Sequence, residues 1–139
     1  MRMLEQILLV TGAAIFGLLG TLHLLYTFFT NKFDTRNPAV GEAMRATSPV
    51  LTGHTTVWKA WIGFNGSHSL GAMMFSAVYL LLAIGHMDWL RVAPVFVWLA
   101  VVNCLAYLVL AIKYWFRIPL TGIAISTVCF LIAALRLGV

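Results

Sequence analysis

Charge is what this sequence has least of. Of 139 residues only 9% are Asp, Glu, Lys or Arg, where a soluble domain carries roughly a quarter. Together with 62% hydrophobic residues and a mean hydropathy of +0.96, that deficit excludes a water-soluble globule and predicts an integral membrane protein. Acids are scarcer still. Glu5, Asp34, Glu42 and Asp88 all lie at the ends of apolar runs or between them. Their absence from the run interiors speaks against a di-iron carboxylate bundle, paired-carboxylate catalysis and a carboxylate proton relay. Cysteine is confined to Cys104 and Cys129 with no CxxC, so thiol–disulfide chemistry and thiolate metal clusters lack support. Both read as small buried apolar side chains. Short alternating segments are missing too, which excludes a transmembrane barrel.

What is there is four long apolar runs, at about 5–29, 62–85, 90–112 and 118–137. Each has about the 20 residues that a helix needs to cross a hydrocarbon core of ~30 Å. The first run is too long for a signal peptide and no small-residue cleavage site follows it, so it is expected to be retained. Short links after the second and third runs make their helices antiparallel neighbours. The fold class is therefore all-α: a single-domain, up-and-down, four-helix integral membrane bundle.

The one long connection joins the first two runs. Asn37-Pro38 is a cap followed by a proline at the first helical position, which predicts a short amphipathic helix through about Ala46. Ser48-Pro49 repeats the signal and predicts that the second long helix starts at about residue 49, giving it a length of ~50 Å. Small residues predict close packing of the first two long helices: Ala13, Gly17 and Thr21 on one, Gly63, Ser67 and Gly71 on the other.

Cations divide unevenly between the two ends of such a bundle. Lys32, Arg36, Arg45, Lys59, Lys113 and Arg117 fall on the side of the 1–2 and 3–4 loops, with Arg2, Arg91 and Arg136 opposite. The positive-inside rule places the richer side in the cytoplasm. A basic surface there is expected to meet anionic lipid headgroups rather than nucleic acid.

Candidate functional residues concentrate between positions 54 and 71. His54, Trp58, Trp61, Asn65 and His68 recur at helical spacing as one stripe. Polar side chains facing lipid are costly, so the stripe should face protein, water or a ligand. Counting from helix ends places His23 and His68 both ~9 Å inside the membrane on the same side. Tyr26 points the same way as His23, and Asn103, Tyr107 and Ser126 converge on that half of the membrane. His23, Tyr26, Lys59, Asn65, His68, Asn103 and Tyr107 are thus candidate ligand-binding residues. Arg36, Arg45, His54, Trp58 and Trp61 are candidates for the mouth of the pocket, the two tryptophans also being suited to interfacial anchoring. Each histidine has an ordinary alternative, that of hydrogen-bonded glue between membrane helices.

Metal and haem fit less well. His23, His54 and His68 are scattered without an i, i+4 pair, which argues against zinc or copper. A haem between His23 and His68 conflicts with close packing of their helices. No metal or other cofactor is expected.

The stretches GLLGTLHLLYTFFTNKF and AMRATSPVLTGHTTVWKAWIGFNGSHSLG, within the first half of the chain, resemble a family of small uncharacterised bacterial four-helix integral membrane proteins. That resemblance implies a bacterial inner-membrane location and carries no catalytic residue. The expected function is binding of a lipid-like or quinone-like amphiphile in a buried polar pocket, with catalysis left open. The alternatives are an accessory subunit of a larger membrane complex and a transporter protomer. The expected partners are membrane lipids, an amphiphilic small molecule, and further copies or a larger complex.

Overall fold

Lipid supplies no hydrogen bonds to a peptide backbone, so a chain this apolar satisfies its N–H and C=O groups within helices. In the computed structural model, which describes residues 2–138 and gives no side-chain account of Arg2, six helices form. They are α1 (Arg2–Phe29), α2 (Pro38–Ala46), α3 (Val57–Gly85), α4 (Met87–Val92), α5 (Val95–Tyr114) and α6 (Arg117–Leu137). Four of them, α1, α3, α5 and α6, are long and apolar enough to cross a membrane. At 28 and 29 residues, α1 and α3 are about 42 and 44 Å long, well beyond a ~30 Å hydrocarbon core. The chain divides into two compact units, Met1–Leu19 with Ala72–Val139, and Gly20–Gly71.

In the first unit the long helices pack through small residues and aromatic rings. Along α1 and α6 the meetings run in opposite order. Arg136 Nε donates to Glu5 Oε1 at 2.8 Å, Ser126 Oγ donates to the Gly12 carbonyl at 3.0 Å, and Gly122 lies against Leu19. Those two helices are therefore antiparallel. So are α1 and α3, since Gln6 Nε2 donates to the Ala83 carbonyl at 2.8 Å while Gly17 lies against Ser76. Phe130 is fully buried, with its ring against Phe75 and Tyr79, and Phe16 packs on Phe75 and Tyr107. The Tyr79 hydroxyl donates to the Phe96 carbonyl, tying α3 to α5. The architecture is an up-and-down bundle, as the apolar runs and short links implied.

Two boundaries differ from the sequence expectation. The fourth helix of the chain, α4, occupies the link where the third span was expected to begin near residue 90. It is held by the Arg91–Asp88 ion pair at 2.6 Å and by burial of Met87 and Leu90. Ala93 then leaves the helical conformation because it precedes Pro94, and α5 starts only at Val95.

The second correction concerns the start of α3. Residues 47–56 are not helical, so Ser48-Pro49 does not open the long helix. Hydroxyls in this stretch bond to nearby backbone instead: His54 N donates to Thr52 Oγ1 at 3.2 Å, and Lys59 N to Thr56 Oγ1 at 3.2 Å. Such local bonds compete with helix formation, and the one at Thr56 caps α3. Val50 and Leu51 are 108% and 93% exposed, so no packing favours a helix here either. The short helix predicted from Asn37-Pro38 forms as expected, with Asn37 Oδ1 accepting from Ala39 N at 3.1 Å.

Only part of the predicted small-residue packing occurs. Ala13 and Gly17 are engaged, whereas Thr21, Gly63, Ser67 and Gly71 are exposed. On α3 the buried positions are Asn65, Gly66 and Ser69 in the second unit, and Ala72, Ser76, Tyr79 and Ala83 in the first. A methyl group on Gly12 would sit 2.9 Å from two ring carbons of Phe130, while one on Gly63 would meet nothing within 4 Å. Gly12→Ala is expected to lower stability to detergent unfolding by about 1–3 kcal/mol through overpacking. Gly63→Ala should leave it unchanged or raise it by up to about 1 kcal/mol. Equal responses of the two variants would contradict this packing.

Candidate functional site

The second unit carries the histidine pair. His23 lies ~9 Å from the end of α1, as the sequence suggested. His68 lies ~16 Å from the start of α3, because that helix begins at Val57 rather than near 62. Their rings nevertheless meet edge to face, with centroids 5.3 Å apart. Both residues are half-buried.

Asn65 orients His23. Its Nδ2 donates to the Trp61 carbonyl at 2.8 Å, one turn back in α3. A carbonyl only accepts, so the amide oxygen is the atom that faces His23, 3.0 Å from Nε2. An amide oxygen only accepts as well, so His23 Nε2 carries the hydrogen. In the neutral ring Nδ1 then carries the lone pair. Asn65 is buried, and its own carbonyl accepts from Ser69 Oγ at 2.9 Å. Thr27 Oγ1 donates to the His23 carbonyl at 2.8 Å on the other helix. A single amide thus fixes the position and tautomer of an imidazole across a helix pair.

Aromatic rings surround this network. Phe33, just past α1, packs on His23 with centroids 4.6 Å apart and lies 6.2 Å from the Trp61 ring. Trp61 Nε1 donates to the Phe33 carbonyl at 3.3 Å, so the chain leaving α1 is pinned to the first turns of α3. Phe28 lies against Gly66, where a Cβ would come within 2.9 Å of its ring. Sequence reasoning missed Phe33, since a residue in a loop has no periodicity to reveal which way it faces.

The remaining candidates fall into three places. Tyr26 is exposed, with Lys32 Nζ 5.4 Å from its ring centroid. Arg36, His54 and Lys59 are exposed. His54 lies in the non-helical stretch, so the helical stripe begins at Trp58 and does not include it. Trp58 is half-buried beneath the Arg45 guanidinium, 4.0 Å from its ring centroid.

Asn103 and Tyr107 belong to the first unit. Tyr107 packs edge-on against Phe16 and near Trp115. Asn103 Nδ2 is buried with no acceptor among the described residues. Ser126, bonded to the Gly12 carbonyl, acts as glue between α1 and α6.

The tautomer is open to direct measurement. Side-chain 15N shifts should report neutral His23 protonated at Nε2, and Asn65→Leu should abolish that preference. The same substitution should cost about 1–2 kcal/mol of stability, the scale of an interhelical hydrogen bond in a membrane. An Nδ1-protonated His23 in the wild-type protein would rule out the network described.

No protein family, curated protein or solved structure matches the chain. Its own residues therefore carry the reading: a helical integral membrane protein with four candidate spans, holding two imidazoles in contact within membrane-spanning helices.

Proposed function

We propose that the protein binds the polar head of a lipid-like or quinone-like amphiphile at His23 and His68. The observation that carries this reading is the direct contact of two half-buried imidazoles inside segments apolar enough to cross a membrane. Ionisable groups in such segments are costly and mark ligand or proton sites by default. Helix pairing uses only one side of the His23 ring: Thr27 and Ser69 bond to carbonyls on their own helices, and Asn65 ties α3 to α1 through His23 Nε2, which leaves Nδ1 for a ligand.

In this reading His23 Nδ1 offers a lone pair and His68 a second imidazole, so a head carrying both a hydroxyl and a carbonyl finds a donor and an acceptor side by side. Phe33 and Trp61 provide flat apolar walls for its ring or upper chain. Tyr26 and Lys59 lie toward the exposed end. The resemblance to bacterial four-helix membrane proteins, with the excess of cations on the long connection's side, supports a bacterial inner-membrane location with that connection in the cytoplasm.

A second reading, an accessory subunit without chemistry of its own, draws support from polar groups paired within the bundle, Asn103 Nδ2 excepted. Ser126 and Thr127 each reach a helix carbonyl, and Glu5 is paired with Arg136. Native mass spectrometry separates the two readings, with decylubiquinone and the uncharged lipid dioleoylglycerol as probes. Under the binding reading the wild-type protein retains one probe, and His68→Phe or His23→Phe weakens retention about three- to tenfold, the worth of one hydrogen bond. Equal retention by all three proteins, or none by the wild type, would favour the accessory role.

A further inference from the structure

We propose that Arg45, held over the Trp58 ring in the connection between α1 and α3, is a binding site for the phosphate of an anionic membrane lipid. This site is separate from the histidine pair and does not depend on it.

The guanidinium is built into place rather than left to wander. Its central carbon stands 4.0 Å from the Trp58 ring centroid, well within cation–π range. A planar guanidinium seated over one ring still carries five N–H donors in a rigid fork, more than the ring engages. That fork matches a phosphate bidentately, which a lysine ammonium does not. Gly41, the one buried residue of α2, makes the room: a Cβ there would fall 3.0 Å from Arg45 Nη1 and 2.9 Å from Thr35 Oγ1. Trp58 is held in turn by the first turn of α3, whose start is fixed when Val57 N donates to the Thr47 carbonyl at 2.9 Å.

Among the described residues no carboxylate forms an ion pair with this cation. The ion pairs among them are Arg91–Asp88 and Arg136–Glu5, both in the other unit. Within Gly20–Gly71 the cations Lys32, Arg36, Arg45 and Lys59 face only two acids, Asp34 and Glu42. A preorganised guanidinium without a counter-charge, in a region of net positive charge, is a site for an anion.

The surroundings select a lipid as the source of that anion. The connection joins two candidate membrane spans, so it meets the headgroup layer wherever α1 and α3 leave the bilayer. Near Arg45 in sequence, Val50 and Leu51 are bare, and Phe28 and Phe29 at the end of α1 are exposed as well. Apolar tips next to unpaired cations are the composition of a segment that lies in the membrane interface, its side chains among acyl chains and its charges at phosphates.

The test uses the full chain in nanodiscs of equal phosphatidylglycerol and phosphatidylcholine, with the lipids retained after release counted by native mass spectrometry. The wild-type protein should retain phosphatidylglycerol in excess. R45Q should reduce that excess about fivefold, the effect of about 1 kcal/mol per basic residue at an anionic surface. R45K and Trp58→Leu should fall with R45Q, because lysine keeps the charge without the planar fork and leucine removes the ring that seats the guanidinium. Thr121→Ala, on α6 in the other unit, should behave as wild type. Circular dichroism of each variant separates loss of the site from loss of the fold, and R45K decides the matter should R45Q not fold. A wild-type lipid ratio in R45Q or R45K would overturn the proposal. So would displacement of the lipid by millimolar inorganic phosphate, which would indicate a soluble ligand instead.

Discussion

The dearth of hydrogen-bonding partners in lipid governs every part of this structure. It forces the backbone into helices and then dictates how each polar side chain is used. Thr27, Ser69, Thr121 and Thr127 all turn their hydroxyls back to a carbonyl of their own helix, four residues earlier. Ser126 and Gln6 instead reach a neighbouring helix, and each finds a backbone carbonyl there. A hydroxyl returned to its own helix is inert toward the outside. An imidazole has two ring nitrogens, and Asn65 engages only Nε2 of His23, so the His23–His68 pair stands out chemically.

Close approach between helices follows from the same constraint. Apolar side chains gain little by leaving lipid for each other, so van der Waals fit has to supply the association. Gly12 beneath Phe130, Gly17 beside Ser76 and Gly122 against Leu19 give that fit in the first unit. Gly66 beneath Phe28 gives it in the second. In each case a missing side chain on one helix accommodates a side chain from another.

Most of the fold was legible in the sequence because hydropathy and helix length are direct readouts of a bilayer's thickness. The short helix α2 was legible through Asn37 and Pro38, whose capping chemistry is local. The start of α3 was not, because Ser48-Pro49 carries the same local signal as Asn37-Pro38. The two differ in the residues beyond the proline: after Pro49 come threonine hydroxyls that bond to backbone, and apolar side chains with nothing to pack on. Facing was harder still. The spacing of Gly63, Ser67 and Gly71 is indistinguishable from that of a packing stripe, yet the buried face of α3 is set by Asn65, Ser69, Ala72 and Ser76. His23, Asn65 and His68 were picked out as polar residues in apolar runs, whereas the role of Phe33 depends on where a loop folds back. Arg45 was visible as a charge, but its seat over the Trp58 ring was not.

The pairing of α1 with α6 has a consequence for how the chain tolerates change in length. Glu5 meets Arg136, Gly12 meets Ser126 and Phe130, and Leu19 meets Gly122, so one register runs through the whole contact. Inserting one residue between Glu5 and Gly12 would turn one part of α1 by about 100° relative to the other. The ion pair and the Phe130 seat would then fall out of step. Substitutions along this seam are local events, while insertions and deletions are not. Residues 47–56, free of helical register, are where added or lost length would pass through the fold with least effect.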